Sequence, residues 1–209
     1  MKEKKTTIIT VFGDSSAWGA FDTESGGWVE RVKTYLFEKE IYVYNLGIES
    51  NTTNDLLRRF EDELKTRIHF PEYAECYNLI IIFEIGQNDS IYNKEGNLVG
   101  INKFKDNLNE LIKKARKFTK DIIFLGLPRV DEKETIPWEE SGESYDNKTI
   151  EKYNSVLEKV CKDKNISFIP LWDLLPKENL SDGLHPNTQG HEKIFEKVKG
   201  ELNSFLEVN

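Results

Sequence analysis

Four short stretches of the chain carry residue types that can do chemistry: Gly13-Asp14-Ser15-Ser16, Asn45-Leu46-Gly47, Gly86-Gln87-Asn88-Asp89 and Asp182-Gly183-Leu184-His185-Pro186. Each alone is an ordinary polar turn, in which glycine accepts unusual backbone angles and Asp or Ser caps a helix. Together they supply what attack on an ester carbonyl needs: an exposed hydroxyl, a base, and donors for the developing oxyanion. Ser15 offers the hydroxyl. His185 is the natural base, because imidazole titrates near neutral pH. Asp182, in the same turn, can accept the other ring N–H, fixing the tautomer and favouring the imidazolium that develops. The backbone N–H groups of Ser15 and Gly47 and the side-chain amide of Asn88 are the candidate oxyanion donors, with glycine at 47 leaving room for the substrate oxygen.

Such a constellation needs a scaffold that brings distant turns together. Hydrophobic periodicity predicts strands at Thr6–Phe12, Ile41–Tyr44, Tyr77–Ile85, Ile122–Leu125 and Ser167–Ile169. Helical spacing appears at Trp28–Lys39, Thr53–Ile68, Ile101–Phe118, Thr149–Lys164 and Thr188–Phe205. The run Leu79-Ile80-Ile81-Ile82-Phe83 has no polar alternation, as expected of a strand buried on both faces of a parallel sheet. Strands alternating with helices give an α/β fold with helices on both faces of that sheet. No repeat, low-complexity tract or linker divides the chain, so residues 1–209 are expected to form one domain. In such sheets ligands bind beyond the carboxyl ends of the strands. The first three polar stretches follow strands, and the Asp182–His185 loop follows the fifth.

The ordered set resembles the SGNH hydrolases, the GDSL-type lipase/acylhydrolase superfamily. Its signature blocks match Gly13-Asp14-Ser15, Gly47, Gly86-Gln87-Asn88-Asp89 and Asp182-Gly183-Leu184-His185-Pro186, with Ser16 where many members carry Leu. The resemblance implies a flavodoxin-like, three-layer α/β/α sandwich around a five-stranded parallel sheet. It also implies an acyl-enzyme on Ser15, with Gly47, Asn88 and His185 as the other name-giving residues and Asp182 as third member of the triad. No cofactor is expected. The substrate expected is a small carboxylester or O-acetylated carbohydrate, since no long apolar stretch is available to cover a fatty chain; lysophospholipids and thioesters are the alternatives within the family.

Two readings of other classes compete. Asp14, Asn88, Asp89, Asp182 and His185 have the chemistry to ligate Mg, Mn or Zn in a phosphoesterase, although no Asp-x-His pair accompanies them. A binding module that retains the fold without catalysis is the other, and the full set of parts argues against it. The formal net charge of −8, with acids interleaved among the lysines and arginines, excludes a basic nucleic-acid surface. No stretch has the apolar length of a membrane helix. Met1–Phe12 reads as a first strand rather than a signal peptide, because threonines interrupt it and no small-residue cleavage site follows. A cytoplasmic protein with free, buried thiols at Cys76 and Cys161 is therefore expected.

Other residues carry weaker expectations. His191 lacks an Asp three residues before it and is expected to face solvent at the start of the last helix, where replacement would be nearly silent. His69, beside Pro71, reads as surface. Glu84 sits inside the central strand and must be paired there. The acidic segment Arg129–Asp146 reads as a solvated loop, or else as a flap whose Trp138 walls the substrate pocket. Trp18 and Phe21 either line that pocket or pack beneath the first helix.

Overall fold

A computed structural model describes residues 5–69, 76–138 and 142–208. Met1–Lys4, Pro71 and the Glu139–Ser141 part of the acidic loop lie outside the described residues.

The strand-forming runs build a parallel sheet: β1 (Thr6–Gly13), β2 (Ile41–Gly47), β3 (Tyr77–Glu84), β6 (Ile122–Leu125) and β7 (Ser167–Ile169). Between β3 and β6 a small antiparallel hairpin, β4 (Tyr92–Asn93) with β5 (Gly96–Asn97), was not legible in the sequence. The order across the sheet is β2-β1-β3-β6-β7, with every neighbouring pair parallel. Side chains alternate in direction along each strand. Ile8 and Phe12 of β1, Leu79, Ile81 and Phe83 of β3, and Ile122 and Phe124 of β6 enter one core; Ile9, Val11, Ile80, Ile82, Ile123 and Leu125 enter the other. The central strand is thus buried on both faces, as its unbroken apolar run requires.

The first core lies beneath α3 (Thr53–Ile68), α4 (Ile101–Ala115) and α6 (Asn147–Asp163), the second beneath α2 (Trp28–Phe37) and α7 (Thr188–Val208). This is a three-layer α/β/α sandwich. Phe12, Phe60, Phe83 and Phe124 form a continuous aromatic seam through the first core, with ring centroids 4.7–6.0 Å apart. Helix starts follow local chemistry. Thr52 and Asp55 form a reciprocal capping box at α3, and Asp146 accepts the Thr149 N–H at α6. No helix among the described residues is long and apolar enough to cross a membrane.

Two expectations are corrected by burial. Cys161 is buried, its thiol pushed up to about 12 by desolvation, but Cys76 is exposed. His191 does not face solvent; it is completely buried in the second core. Its Nδ1 accepts the Trp28 N–H at 3.3 Å and its Nε2 donates to the Ala20 carbonyl at 2.8 Å, which places the proton on Nε2. His191 therefore joins the start of α7 to the start of α2. His191→Ala should be far from silent. It leaves a cavity and two buried backbone groups unpaired, a cost of about 2–4 kcal/mol. The melting temperature should fall by about 5–15 °C; an unchanged melt would contradict the buried placement.

Candidate active site

In a sheet ordered this way the chain reverses its direction of travel between β1 and β3, and the crevice outside that switch point is where ligands bind. The two neighbouring strands end there in Gly13-Asp14-Ser15 and Glu84-Ile85-Gly86-Gln87-Asn88. Ser15 opens a four-residue helix, α1 (Ser15–Trp18), capped by Asp14, whose carboxylate accepts the Ser16 N–H at 3.1 Å. As the first helical residue, Ser15 has no intrahelical acceptor for its own N–H.

The tightness of this turn explains both neighbouring glycines. A Cβ on Gly13 would lie 2.6 Å from the Glu84 carbonyl oxygen, and one on Gly47 would lie 2.3 Å from the Trp18 nitrogen. Gly47 is thus required by the backbone of α1, rather than by room for substrate as expected. Its N–H donates at 3.0 Å to Asn45 Oδ1, while Asn45 Nδ2 donates to the Ala17 carbonyl at 2.9 Å. In this structure the Gly47 N–H already has an acceptor. Asn88 lies in a 3₁₀ turn after β3; its Nδ2 donates to the Asn51 carbonyl at 3.0 Å and its Oδ1 accepts the Tyr145 hydroxyl at 2.8 Å. That pairing fixes the amide's orientation and leaves its second N–H uncommitted by these bonds. Asp89 turns to the scaffold: it is buried and accepts both the N–H and the hydroxyl of Thr53, tying the start of α3 to this turn. Burial raises its carboxyl to about 6, against the hydrogen bonds from Thr53.

The loop before α7 brings the third component. His185 Nε2 lies 3.0 Å from Ser15 Oγ, and its Nδ1 lies 2.7 Å from Asp182 Oδ2. Asp182 Oδ1 also accepts the N–H groups of Leu184 and His185, at 3.0 and 2.8 Å. Burial alone would raise the Asp182 carboxyl, but the bonds from the His185 ring and backbone outweigh it and hold the group below the usual range. A fixed carboxylate at Nδ1 assigns the proton there and turns the basic Nε2 lone pair toward the serine hydroxyl. The loop is braced from outside: Ser181 N–H donates to the His185 carbonyl, and Asp131 N–H, preceding α5 (Glu132–Thr135), donates to that of Gly183, both at 2.8 Å.

The structure therefore gathers Ser15, His185 and Asn88 around one opening, with Asp182 bonded to His185, while the Gly47 N–H is turned to Asn45. A narrow cleft descends from it, lined by Ser15, Asn88, Leu127, His185, Asp14 and Glu84, with about 30 Å³ open to water-sized molecules. The segment 129–146 is more than a solvated loop. Its Trp138 packs edge-on against both His185 and Tyr145, at 5.9 and 5.7 Å between ring centroids. Tyr145 in turn holds Asn88. Phe21, half exposed, also lies near the imidazole, at 5.2 Å between ring centroids. Trp18 is half exposed as well, so neither residue packs beneath the first helix. Tyr145 was missed in the sequence, since a tyrosine in an acidic loop carries no periodic signal.

Beneath Ser15 lie two carboxyls. Glu84 accepts the Ser16 hydroxyl and the Trp28 indole N–H, each at 2.9 Å, which names the partners its burial demanded. Burial lifts Glu84 to about 7, against those two hydrogen bonds. Burial, and then the Glu84 charge, lift Asp14 to about 8, against the Ser16 N–H and His185. The folded protein thus keeps protons that the unfolded chain releases from about pH 4, so stability falls as pH rises through that range toward 7–8. Glu84→Gln, whose amide can meet the same two partners, removes part of that penalty. Its melting temperature relative to the parent should become more favourable from pH 5 to pH 8.5; a difference independent of pH would show that the pair is ionised throughout.

With the geometry described, comparison with known proteins is direct. No curated protein matches the chain in sequence. Among solved structures it is similar to a lipase/acylhydrolase from Enterococcus faecalis, at 24% identity and a TM-score of 0.73 over 94% of this chain and 95% of that one. It is also similar to the W215I form of Axe2, an acetyl xylan esterase from Geobacillus stearothermophilus, at 21% identity and a TM-score of 0.71 over 95% of each chain. A third, LAE5, an alpha/beta hydrolase enzyme from the metagenome of Lake Arreo, Spain, aligns at 18% identity and a TM-score of 0.69 over 93% and 94%. These likenesses carry the fold. The family follows from the sequence itself: residues 11–193 match the model of the GDSL-like lipase/acylhydrolase family, and the chain is a member of that family of ester-bond hydrolases.

Proposed function

We propose that the protein hydrolyses small acyl esters, simple carboxylesters or O-acetylated carbohydrates, through an acyl-enzyme on Ser15. The observation that carries this reading is the continuous line of contacts from Asp182 through His185 to Ser15 Oγ at the mouth of the cleft. His185 takes the serine proton as Oγ attacks the carbonyl, and Asp182 stabilises the imidazolium that results. The tetrahedral oxyanion is met by the Ser15 N–H and the uncommitted Asn88 N–H. The Gly47 N–H joins them once the oxyanion displaces Asn45 Oδ1 as its acceptor. The imidazolium then returns its proton to the leaving alcohol. Water, activated by the same imidazole, releases the acid and restores Ser15.

The cleft favours a short acyl group. The space in it open to water-sized molecules is only about 30 Å³, which suits a small acyl group better than an alkyl chain. Hydrolysis of p-nitrophenyl esters from acetate to palmitate tests the whole reading. Activity should be greatest at acetate, fall with chain length, and drop by several orders of magnitude in Ser15→Ala. Full activity in Ser15→Ala would end the assignment. Asn88→Ala should lower kcat by about 10²–10³-fold with little change in KM, since its bond strengthens only in the transition state. A defect confined to KM would remove Asn88 from the oxyanion site.

A further inference from the structure

Phe21 occupies a position that a phenylalanine does not choose unaided. Its φ is +63°, in the left-handed region that bulky L-residues avoid. The residues on either side are anchored to buried groups. The Ala20 carbonyl accepts His191 Nε2 at 2.8 Å. The Asp22 carboxylate accepts the N–H groups of Glu24, Ser25 and Gly27 at 3.1, 3.2 and 2.9 Å and pairs with Arg31 at 3.1 Å. The ring clamped between them is not used for packing: Phe21 is 51% exposed, with one side near the His185 imidazole and much of the rest open to solvent. A strained backbone, fixed by a buried clasp, that holds an aromatic ring out beside an active-site base is the kind of outlier that points to function.

We propose that Phe21 is a specificity-determining residue, a platform on which the alcohol portion of the ester rests, and that this portion is the apolar face of a pyranose ring. The inference rests on the esterase reading above. The leaving oxygen must depart toward His185, which protonates it, so the alcohol lies beside the imidazole, where Phe21 stands. The narrow cleft suits a small acyl group, which leaves the alcohol on the open surface. A ligand on that surface has one face on an aromatic ring and the other in water. A pyranose matches both conditions, with C–H groups on one face and hydroxyls around its rim. An alkyl chain would leave half its surface wet, and a small alcohol such as ethanol would not reach across the ring.

The test replaces Phe21 by glycine, which removes the platform and accepts the positive φ, and follows acetate release from ethyl acetate, hexyl acetate and a mono-O-acetyl methyl pyranoside. In Phe21→Gly the KM for the acetyl pyranoside should rise about 3- to 10-fold, the range expected for loss of one ring-stacking contact. Values for ethyl acetate should be unchanged, and Phe21→Trp should restore pyranoside binding. The melting temperature should hold or rise by a few degrees as strain is relieved. Equal losses on all three esters, or a clearly lowered melt, would make Phe21 a structural residue and overturn the proposal. So would a KM rise confined to hexyl acetate, which would assign the platform to apolar alcohols. Ser15-dependent hydrolysis of ethyl acetate with no Phe21-dependent preference would defeat this inference alone. A parent protein inactive on every ester would defeat the esterase reading and this inference with it.

Discussion

The site depends on how closely three strand ends are pressed together. β1 must turn into α1 between β2 and β3, and the backbones meet so tightly that neither Gly13 nor Gly47 has room for a methyl group. That crowding brings the N–H and hydroxyl of Ser15 and the Asn88 amide into one small volume, though they come from two separate segments. Asn45 and Asn88 then lock the arrangement with hydrogen bonds across the gaps. A looser junction would leave the same residues present and their donors aimed at water, which competes for every one of them.

Such close packing also has an electrostatic consequence. The chain places Asp14, Glu84 and Asp89 under the junction, all buried and all with carboxyls raised by desolvation. Each serves as an acceptor for a group that defines the site's shape: the Ser16 N–H, the Ser16 hydroxyl with the Trp28 indole, and the Thr53 N–H. Acceptors this strong hold strained turns well, and partial protonation reduces the cost of burying three like charges together. Asp182 differs because it receives N–H donors from its own loop and from His185, which hold its carboxyl below the usual range, as the proposed imidazolium requires.

Much of the fold was legible because the physics that sets it is local. The bounds of α3, β6 and β7 fall where periodicity put them, and β1, β2 and β3 differ only at their ends. The catalytic candidates were legible as an ordered set of polar strand ends, although nothing in the sequence could show that the Gly47 N–H binds Asn45 or that Tyr145 holds Asn88. His191 was misread through attention to its neighbours in sequence. It stands on the same face of α7 as Ile194, Val198 and Leu202, all buried, and that spacing of three and four residues carried the correct answer. The clasp around Phe21 was hidden because His191 lies far along the chain from Asp22 and Arg31 and reaches Ala20 only through tertiary packing.

The surroundings of His185 reconcile two opposing demands. A base that becomes charged during turnover benefits from a dry setting, in which its attraction to Asp182 is screened less. In the proposed mechanism the alcohol that His185 protonates must nevertheless escape. Phe21 and Trp138 both lie against the imidazole, and the ring itself retains 17% side-chain exposure. Trp138, the more buried of the two, lowers the local dielectric without offering a hydrogen-bonding rival to Ser15 or Asp182. In the proposed mechanism the exposed part of the imidazole is where the leaving alcohol exits and water enters. One aromatic ring comes from the strained turn after α1 and the other from the segment after β6, both outside the Asp182–His185–Ser15 line. Sequence changes there can retune the alcohol accepted while leaving Ser15, His185 and Asp182 in place.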